Sequence, residues 1–358
     1  MGALRAAERH RSRMSPTSES NRAARLMELV GANWTTQAIG AAVSLGLVDE
    51  LAQQPGATST LAQRTSCDPG SVLRLLRALA GIDIVERHPD GRWALTPMGE
   101  LLQADVPGSV RDWALWCSGP QWALWGDLAT SVRTGRSARA RTGMAPGYAH
   151  LEDDAAAARV FHGAMAGLSG RIGRAIAGAV DWSRSARVVD IGGGYGELVA
   201  EILIAHPHLQ GLILDLAHAT THAAERLASR GLDTRCAVFA GSFFDELPPE
   251  ADTYLLKSIL HNWDDGDALR ILQRCRAAMN PKSRLLLIER VMPEQPARQR
   301  RSRAILRSDL NMLVSLGGCE RTLDEFARLA VQAGLSRPRR VAAMLDYSVL
   351  ESRPKRRR

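Results

Sequence analysis

The sequence predicts an α/β protein in which a parallel, doubly wound sheet is preceded by a mostly helical, winged-helix-like domain. Three observations carry this. From Ala186 onward, short apolar runs (RVVDI, GLILDL, RCAVF, DTYLLK and RLLLIERV) alternate with amphipathic stretches, as in βαβ units. Residues 21–102 read as short helices closed by a single pair of alternating runs. A length of 358 residues exceeds the usual single domain, so two folded units are expected. The boundaries placed on this pattern are a disordered basic tail over 1–21, a winged-helix-like dimerisation domain over 22–105 and a helical linker over 106–182 that contributes to a pocket. The sheet domain follows over 183–350, and a second basic tail over 351–358.

In chain order, TSTLAQRT starts a helix with Thr58 or Ser59 as the cap. CDPGSVLRLLRALAG offers Asp68 as N-cap, Pro69 in the first turn, an apolar stripe through Val72, Leu73, Leu76 and Leu79, and Gly81 as terminator. IVERHPDGRWALT then gives two alternating runs around Pro89-Asp90-Gly91, a hairpin. A winged helix of this kind raises the alternative of a DNA-binding regulator. Its candidate recognition helix carries only Arg74 and Arg77 among leucines, whereas a groove-reading helix presents more polar and basic side chains. Packing against its own copy, as a homodimer, is the favoured reading. Residues 103–182 are mostly helical and rich in large side chains, including Trp113, Trp116, Trp122 and Trp125; most of these are expected in the core.

Composition narrows the class. Hydrophobic residues at 45% and charged residues at 23% fit a soluble globular chain. The net charge of +8 sits at the ends: residues 1–25 carry +4 and RPKRRR at 353–358 carries +5, leaving about −1 for the body. Solvated tails explain this better than nucleic-acid or membrane binding. Five cysteines at 67, 117, 236, 275 and 319 show no paired or CxxC spacing, which argues against zinc or a disulfide framework and for a cytoplasmic setting. No run approaches a membrane span, and the N-terminus lacks the apolar core of a signal peptide.

The first sheet strand delivers the chain to VVDIGGGYGELV at 188–199. Such a glycine turn could serve NAD, FAD, a nucleotide phosphate or S-adenosylmethionine, or no ligand. Counted from Gly192, the dinucleotide fingerprint needs a glycine where Glu197 stands. The spacing is instead acidic–x–Gly–x–Gly–x–Gly, with Asp190 at the strand end and Gly192, Gly194 and Gly196 following. Glycines there allow close approach of backbone to ligand, and Asp190 suits a cationic amino-acid moiety. Asp215 ends the next strand 23 residues after Gly192, where a carboxylate accepts from ribose hydroxyls. Together these favour S-adenosylmethionine.

His261 lies just past the carboxyl end of DTYLLK, in SILHNWDDGDALRILQRC, with Asp264 or Asp265 capping the following helix. Methyl transfer from sulfonium to a phenol needs the phenol's proton removed, and a neutral imidazole is the apt base. Glu289, ending LLLIE, and Glu320, in GGCERT, are the candidate orienters; the strand-end position favours Glu289.

These residues resemble the plant-type (caffeic-acid-like) class I S-adenosylmethionine-dependent O-methyltransferases, whose bacterial relatives modify aromatic secondary metabolites. The resemblance runs from about 22 to 350 through LGLVDEL, SVLRLLRALA, FHGAMAGLS, VVDIGGGYGEL, HPHLQGLILDL, GSFF, LLKSILHNWDD, LLLIERV and DLNMLVSLGGCERT. It implies a Rossmann-like catalytic domain, His261 as base with Glu289 and Glu320 flanking it, and no metal. It also implies a cofactor set of Ser169, Asp190, Gly192, Gly194, Asp215, Leu216, Ser242, Phe243 and Lys257, with Phe161, Met165, Asn262 and Met312 bordering a small aromatic acceptor. Two departures stand out. Ser242 occupies a position where the family commonly has the Asp that contacts the adenine amine, and Asn262 replaces the Asp of the usual HDW. The alternative within the same fold is a member that uses the bound sulfonium for decarboxylation, hydroxylation or pericyclic chemistry.

Overall fold

The computed structural model describes residues 16–104, 106–141, 143, 147–249, 251–295 and 299–355. The parts of the expected basic tails at 1–15 and 356–358 lie outside the described residues. The chain divides into two compact units, the first ending at Gln103 and the second starting at Ala104.

The first unit contains α1 (Pro16–Ser44), α2 (Leu47–Gln53), α3 (Thr58–Arg64) and α4 (Pro69–Ala80). A hairpin follows, β1 (Val85–Arg87) with β2 (Trp93–Leu95), paired antiparallel. Asp68 caps α4 as expected, its carboxylate accepting from the Ser71 amide at 2.7 Å, and Gly81 ends the helix. The cap of α3 differs: Ala57 occupies the position without a side-chain bond, and the Thr58 hydroxyl instead accepts from Trp93 Nε1 at 3.1 Å. The tail boundary also moves. Helix α1 already runs from Pro16, because a proline at a first helical turn is tolerated and the residues after it sustain one 29-residue helix. Leu26, Met27, Val30 and Trp34 on α1 are all exposed in the single chain, and 26, 30 and 34 share one stripe at a spacing of four.

The second unit begins with α5 (Arg111–Ser118), α6 (Pro120–Trp125), α7 (Leu128–Thr134), α8 (Ala138–Arg141) and the long α9 (Ala155–Ala179). The α/β part then runs β3 (Arg187–Ile191), α10 (Glu197–Ala205), β4 (Gln210–Asp215), α11 (Ala217–Thr220), α12 (Ala223–Ser229), β5 (Cys236–Ala240) and β6 (Thr253–Lys257). It ends with α13 (Asp265–Ala278), β7 (Arg284–Glu289), α14 (Arg300–Ser315), α15 (Leu323–Gln332), β8 (Arg339–Met344) and β9 (Tyr347–Ser352).

The strands form one sheet in the order β5-β4-β3-β6-β7-β9-β8. The first five are mutually parallel and the last two antiparallel. Alternate residues feed opposite faces: Val189, Leu256 and Leu287 enter one core cluster, while Val188, Leu255 and Leu286 enter the other. Every residue of β7 is buried, and each such aliphatic side chain contributes about 1.5–3 kcal/mol. Strands β8 and β9 were not anticipated, and they displace the second tail. Ser352 is still in β9, Pro354 bridges Leu335, and the Lys355 amide donates to Gly334 O at 3.0 Å. The physical reason is pairing: β8, a polar, arginine-bearing edge strand, carries little apolar signal until β9 pairs with it, and β9 is placed in turn by β7.

Candidate active site

The strand order reverses between β3 and β6, so the loops leaving their carboxyl ends face one crevice. That crevice is a cavity of about 370 Å³. All nine residues expected around a cofactor line it, and so do Phe161, Met165 and Asn262. Met312, on α14, and His261, Glu289 and Glu320 are not among the lining residues, and all four are buried.

The glycine turn is shaped by the protein as much as for a ligand. Gly192 has φ 72°, and a Cβ there would run into Ile259 Cδ1 and sit 3.1 Å from Cγ1. Gly194 has φ 54° with open space around it, so of these two it is the one whose bareness faces the cavity. Its amide donates to Asp215 Oδ2 at 2.9 Å, and the Leu216 amide donates to Oδ1 at 2.8 Å. Burial raises the Asp215 pKa to about 6 against these amides. Asp190 is fully buried at the end of β3, with Oδ2 lacking any partner. Burial pushes its pKa up to about 7, with Lys257 opposing and Asp215 reinforcing the shift. An orphaned carboxylate oxygen of this kind is the feature a cationic ligand satisfies.

Lys257 ends β6 and donates from Nζ to Ser169 Oγ on α9 at 3.0 Å. Ser242 Oγ accepts from the Phe244 amide at 3.2 Å, leaving its hydroxyl proton for a ligand. Beside it, Trp263 packs edge-on against Phe243 and Phe244, with ring centroids 5.9 and 4.8 Å away. Trp263 lines the cavity with a buried, unpartnered Nε1. No role was expected of Trp263, although its place two residues after His261 is a usable signal.

His261 sits on a single 3₁₀ turn, Leu260–Asn262, directly after β6. Its Nδ1 lies 2.9 Å from Glu320 Oε1 and 3.9 Å from Glu289 Oε2. Glu320, not Glu289, is therefore the orienter. The Oε1 of Glu289 is taken up by the Ile259 and Leu260 amides at 3.0 and 2.9 Å, which fixes the turn's backbone. Glu320 Oε1 also accepts from Ser308 Oγ at 2.5 Å. Burial lowers the His261 pKa, but the charges of Glu320 and Glu289 and the Glu320 hydrogen bond outweigh it, for a net rise. Burial raises Glu289, while His261 and Ser308 overcome burial at Glu320 and hold it low, so Glu320 carries the negative charge. Nε2 of His261 has no protein partner among the described residues and is not fully buried, so it can receive a proton. One ligand atom from each of these three residues lies within 4.8 Å of the others, yet Oε1 of both carboxylates already serves protein donors.

Arg321 was missed by sequence reasoning and is buried. It donates to Leu260 O at 2.7 Å and Trp263 O at 2.8 Å and pairs with Asp265 at 2.9 Å, bracketing the His261 turn. That leaves Asp264 as the cap of α13, accepting from the Asp267 amide at 2.9 Å. Asn262 is likewise committed: Nδ2 donates to Ser258 O at 3.1 Å, and Oδ1 accepts from Tyr148 at 3.3 Å. Tyr148 stacks on Phe161 at 4.7 Å, which packs on Trp116 at 5.0 Å, so Tyr148 joins the aromatic wall of the cavity. Nothing periodic in its segment marked Tyr148.

Comparison with known proteins agrees on one family. Residues 125–336 match the O-methyltransferase domain, and residues 27–105 match the O-methyltransferase dimerisation domain. Phenazine O-methyltransferase of Lysobacter antibioticus is 34% identical over 331 residues, covering 92% of this chain and 95% of its own. Aclacinomycin 10-hydroxylase of Streptomyces purpurascens is 36% identical, covering 91% and 89%. A solved O-methyltransferase from neocarzinostatin biosynthesis, in complex with S-adenosylmethionine and 2-hydroxy-5-methyl naphthoic acid, superposes with a TM-score of 0.73 at 33% identity, covering 90% and 96%.

Proposed function

The chain belongs to the O-methyltransferase family, and from that premise we propose that His261 is the general base of an S-adenosylmethionine-dependent methyl transfer to a phenolic hydroxyl of a small aromatic secondary metabolite. The observation that carries this reading is the buried His261–Glu320 couple at the carboxyl end of β6, with Nε2 left free. When bound, the cofactor supplies a methyl group activated by its positive sulfonium. Asp190 balances its cationic end, Lys257 and Ser169 hold its carboxylate, Asp215 accepts from its ribose, and Ser242 with Phe243 and Trp263 frames its adenine. Phe161 and Met165 wall the acceptor ring. His261 Nε2 takes the hydroxyl proton while Nδ1–H points at Glu320, so the imidazolium forms against a carboxylate. The rest of the acceleration is alignment of oxygen and methyl in the cavity.

Relatives with this fold include the hydroxylase above, so the product decides between chemistries. Incubation with naphthoate and phenazine acceptors should give S-adenosylhomocysteine in step with a methylated product. Turnover that leaves the cofactor unconsumed would move the chain to the non-methylating branch.

The pH profile follows from the His261 environment. The base works only when neutral and its pKa is held above the ordinary 6.5. The acid limb of kcat/KM should therefore lie above pH 6.5, with the rate rising through it. Glu320→Gln removes the charge that raises His261 and leaves only a neutral amide acceptor, so the limb should move to lower pH as kcat falls; an unmoved limb would refute the pairing.

Cofactor binding should also release protons. Asp190 and Asp215 titrate near 7 and 6 in the protein alone, and a cationic ligand favours their ionised forms. At about pH 6.5 the calorimetric heat should depend on the buffer's ionisation enthalpy, and by about pH 8 that dependence should vanish. A heat independent of buffer at the lower pH would contradict the roles given to these carboxylates.

The chain dimerises through its N-terminal unit, where residues 27–105 match the dimerisation domain, and the exposed stripe of α1 is apolar surface for a second copy to cover. Among the described residues no helix is long and apolar enough to cross a membrane. The five unpaired cysteines support a cytoplasmic placement.

A further inference from the structure

We propose that His218 donates a hydrogen bond to a ribose hydroxyl of the bound sulfonium nucleoside, and that His162 fixes the tautomer that allows it. The inference rests on the cofactor reading above and adds two residues to it.

The two histidines come from distant parts of the chain, His162 from α9 and His218 from α11. They meet with His162 Nε2 3.0 Å from His218 Nδ1. Both line the cavity. On α9, positions 162, 166 and 169 are spaced by four and three and so share a stripe, with Phe161 and Met165 on the neighbouring one. Ser169, at the far end of the stripe, is the residue bonded to Lys257, so His162 shares the stripe that reaches the cofactor residues, with the aromatic wall on the adjacent stripe of the same cavity. His218 follows Asp215 by three residues, beyond the carboxylate that reads the ribose.

His218 Nε2 is buried and has no protein partner. A polar nitrogen so placed costs free energy until a ligand atom meets it. Burial lowers both histidines, reinforced at His162 by the neighbouring His218, with His162 brought to about 4. The pair is therefore neutral near pH 7 and shares one proton across its hydrogen bond. If His162 Nε2–H is the donor, His218 Nδ1 accepts and Nε2 carries a proton aimed at the ligand. A ribose hydroxyl that gives its proton to Asp215 keeps lone pairs free, and these accept from His218. The opposite tautomer would make Nε2 an acceptor competing with Asp215 for the same ribose protons. The chemistry of the ligand thus selects the first arrangement.

Calorimetric titration of the full-length protein with S-adenosylhomocysteine, and with its 2′-deoxy and 3′-deoxy analogues, tests this. His218→Phe should weaken S-adenosylhomocysteine by roughly 3- to 10-fold, the size of one neutral hydrogen bond. It should leave one of the deoxy analogues, which lacks the accepting hydroxyl, bound as tightly as by the wild type. His162→Leu should cause a similar loss, because the tautomer is no longer set. His218→Gln and His162→Gln, which keep an amide donor at the Nε2 position, should recover most of it, and they guard against a variant that merely folds poorly. Equal affinity in wild type and His218→Phe, or an equal loss for all three ligands, would overturn the proposal. Failure of the wild type to bind S-adenosylhomocysteine would instead overturn the cofactor reading beneath it.

Discussion

His261→Ala should lower kcat by about 10²- to 10⁴-fold while S-adenosylhomocysteine binds with little change. The two effects separate because the role proposed for His261 concerns the acceptor's proton and none of the groups assigned to the cofactor. Its removal also leaves Glu320 and Glu289 facing each other without the cation that balances them. A buried charge stripped of its partner is costly, so Glu320 should take up a proton near neutral pH and the melting temperature should fall. His261→Asn keeps a polar group in the same space and should retain more stability while losing the same rate. Single-turnover rates with calorimetry on both variants check this. Full turnover in His261→Ala would end the base assignment.

The second large effect comes from a residue that makes no contact with the chemistry. A Cβ on Gly318 would overlap the carbonyl oxygen of His261 and lie 2.6 Å from Asn262 C and 2.8 Å from Trp263 N. All three atoms are main chain, in the turn that Arg321 holds by Leu260 O and Trp263 O, so no flexible side chain can move aside. Gly318→Ala should therefore force residues 260–263 away from residues 318–321, which separates His261 from Glu320. A displacement of about 1 Å at such a site costs on the order of 10² in rate, so kcat should fall by about that factor. The acid limb of the pH profile should shift downward as Glu320 loses its hold on the imidazole. Gly178→Ala is the control: its Cβ would meet nothing within 4 Å and it lies within α9, so activity should be unchanged and stability slightly raised. Wild-type kinetics in Gly318→Ala would show that the two loops are not locked together.

What could be read in advance was local. The glycine turn after β3, Asp190 and Asp215 at strand ends, and His261 just past β6 are fixed by position along single strands. A strand followed by a helix puts its carboxyl end on the ligand face wherever it sits in the sheet. The Asp68 cap and the β1–β2 hairpin were legible for the same reason, since each is satisfied within a few residues.

The misreadings within the site concern partners far apart in sequence. Glu289 looked the better orienter because it ends a strand, yet that strand-end position hands its oxygen to the Ile259 and Leu260 amides. The loop residue Glu320 reaches the imidazole instead. Asn262 lines the cavity as expected, but its ties to Ser258 and Tyr148 could not be read in advance. Met312 carries an apolar side chain that the core of its own helix claims. The β8 and β9 strands, the Arg321 brace and the His162–His218 pair were invisible before the register of the sheet was known.

The sequence by itself determined the architecture and the cofactor class and placed His261 just past a strand's carboxyl end, because periodicity, turn chemistry and strand-end placement act over a few residues. Only the tertiary structure decided which carboxylate steers His261, what holds its turn rigid and which polar atoms are left facing the cavity. Hydrogen bonds across 30 to 60 residues of chain depend on how strands and loops are brought side by side, and a donor used in one place is absent from every other.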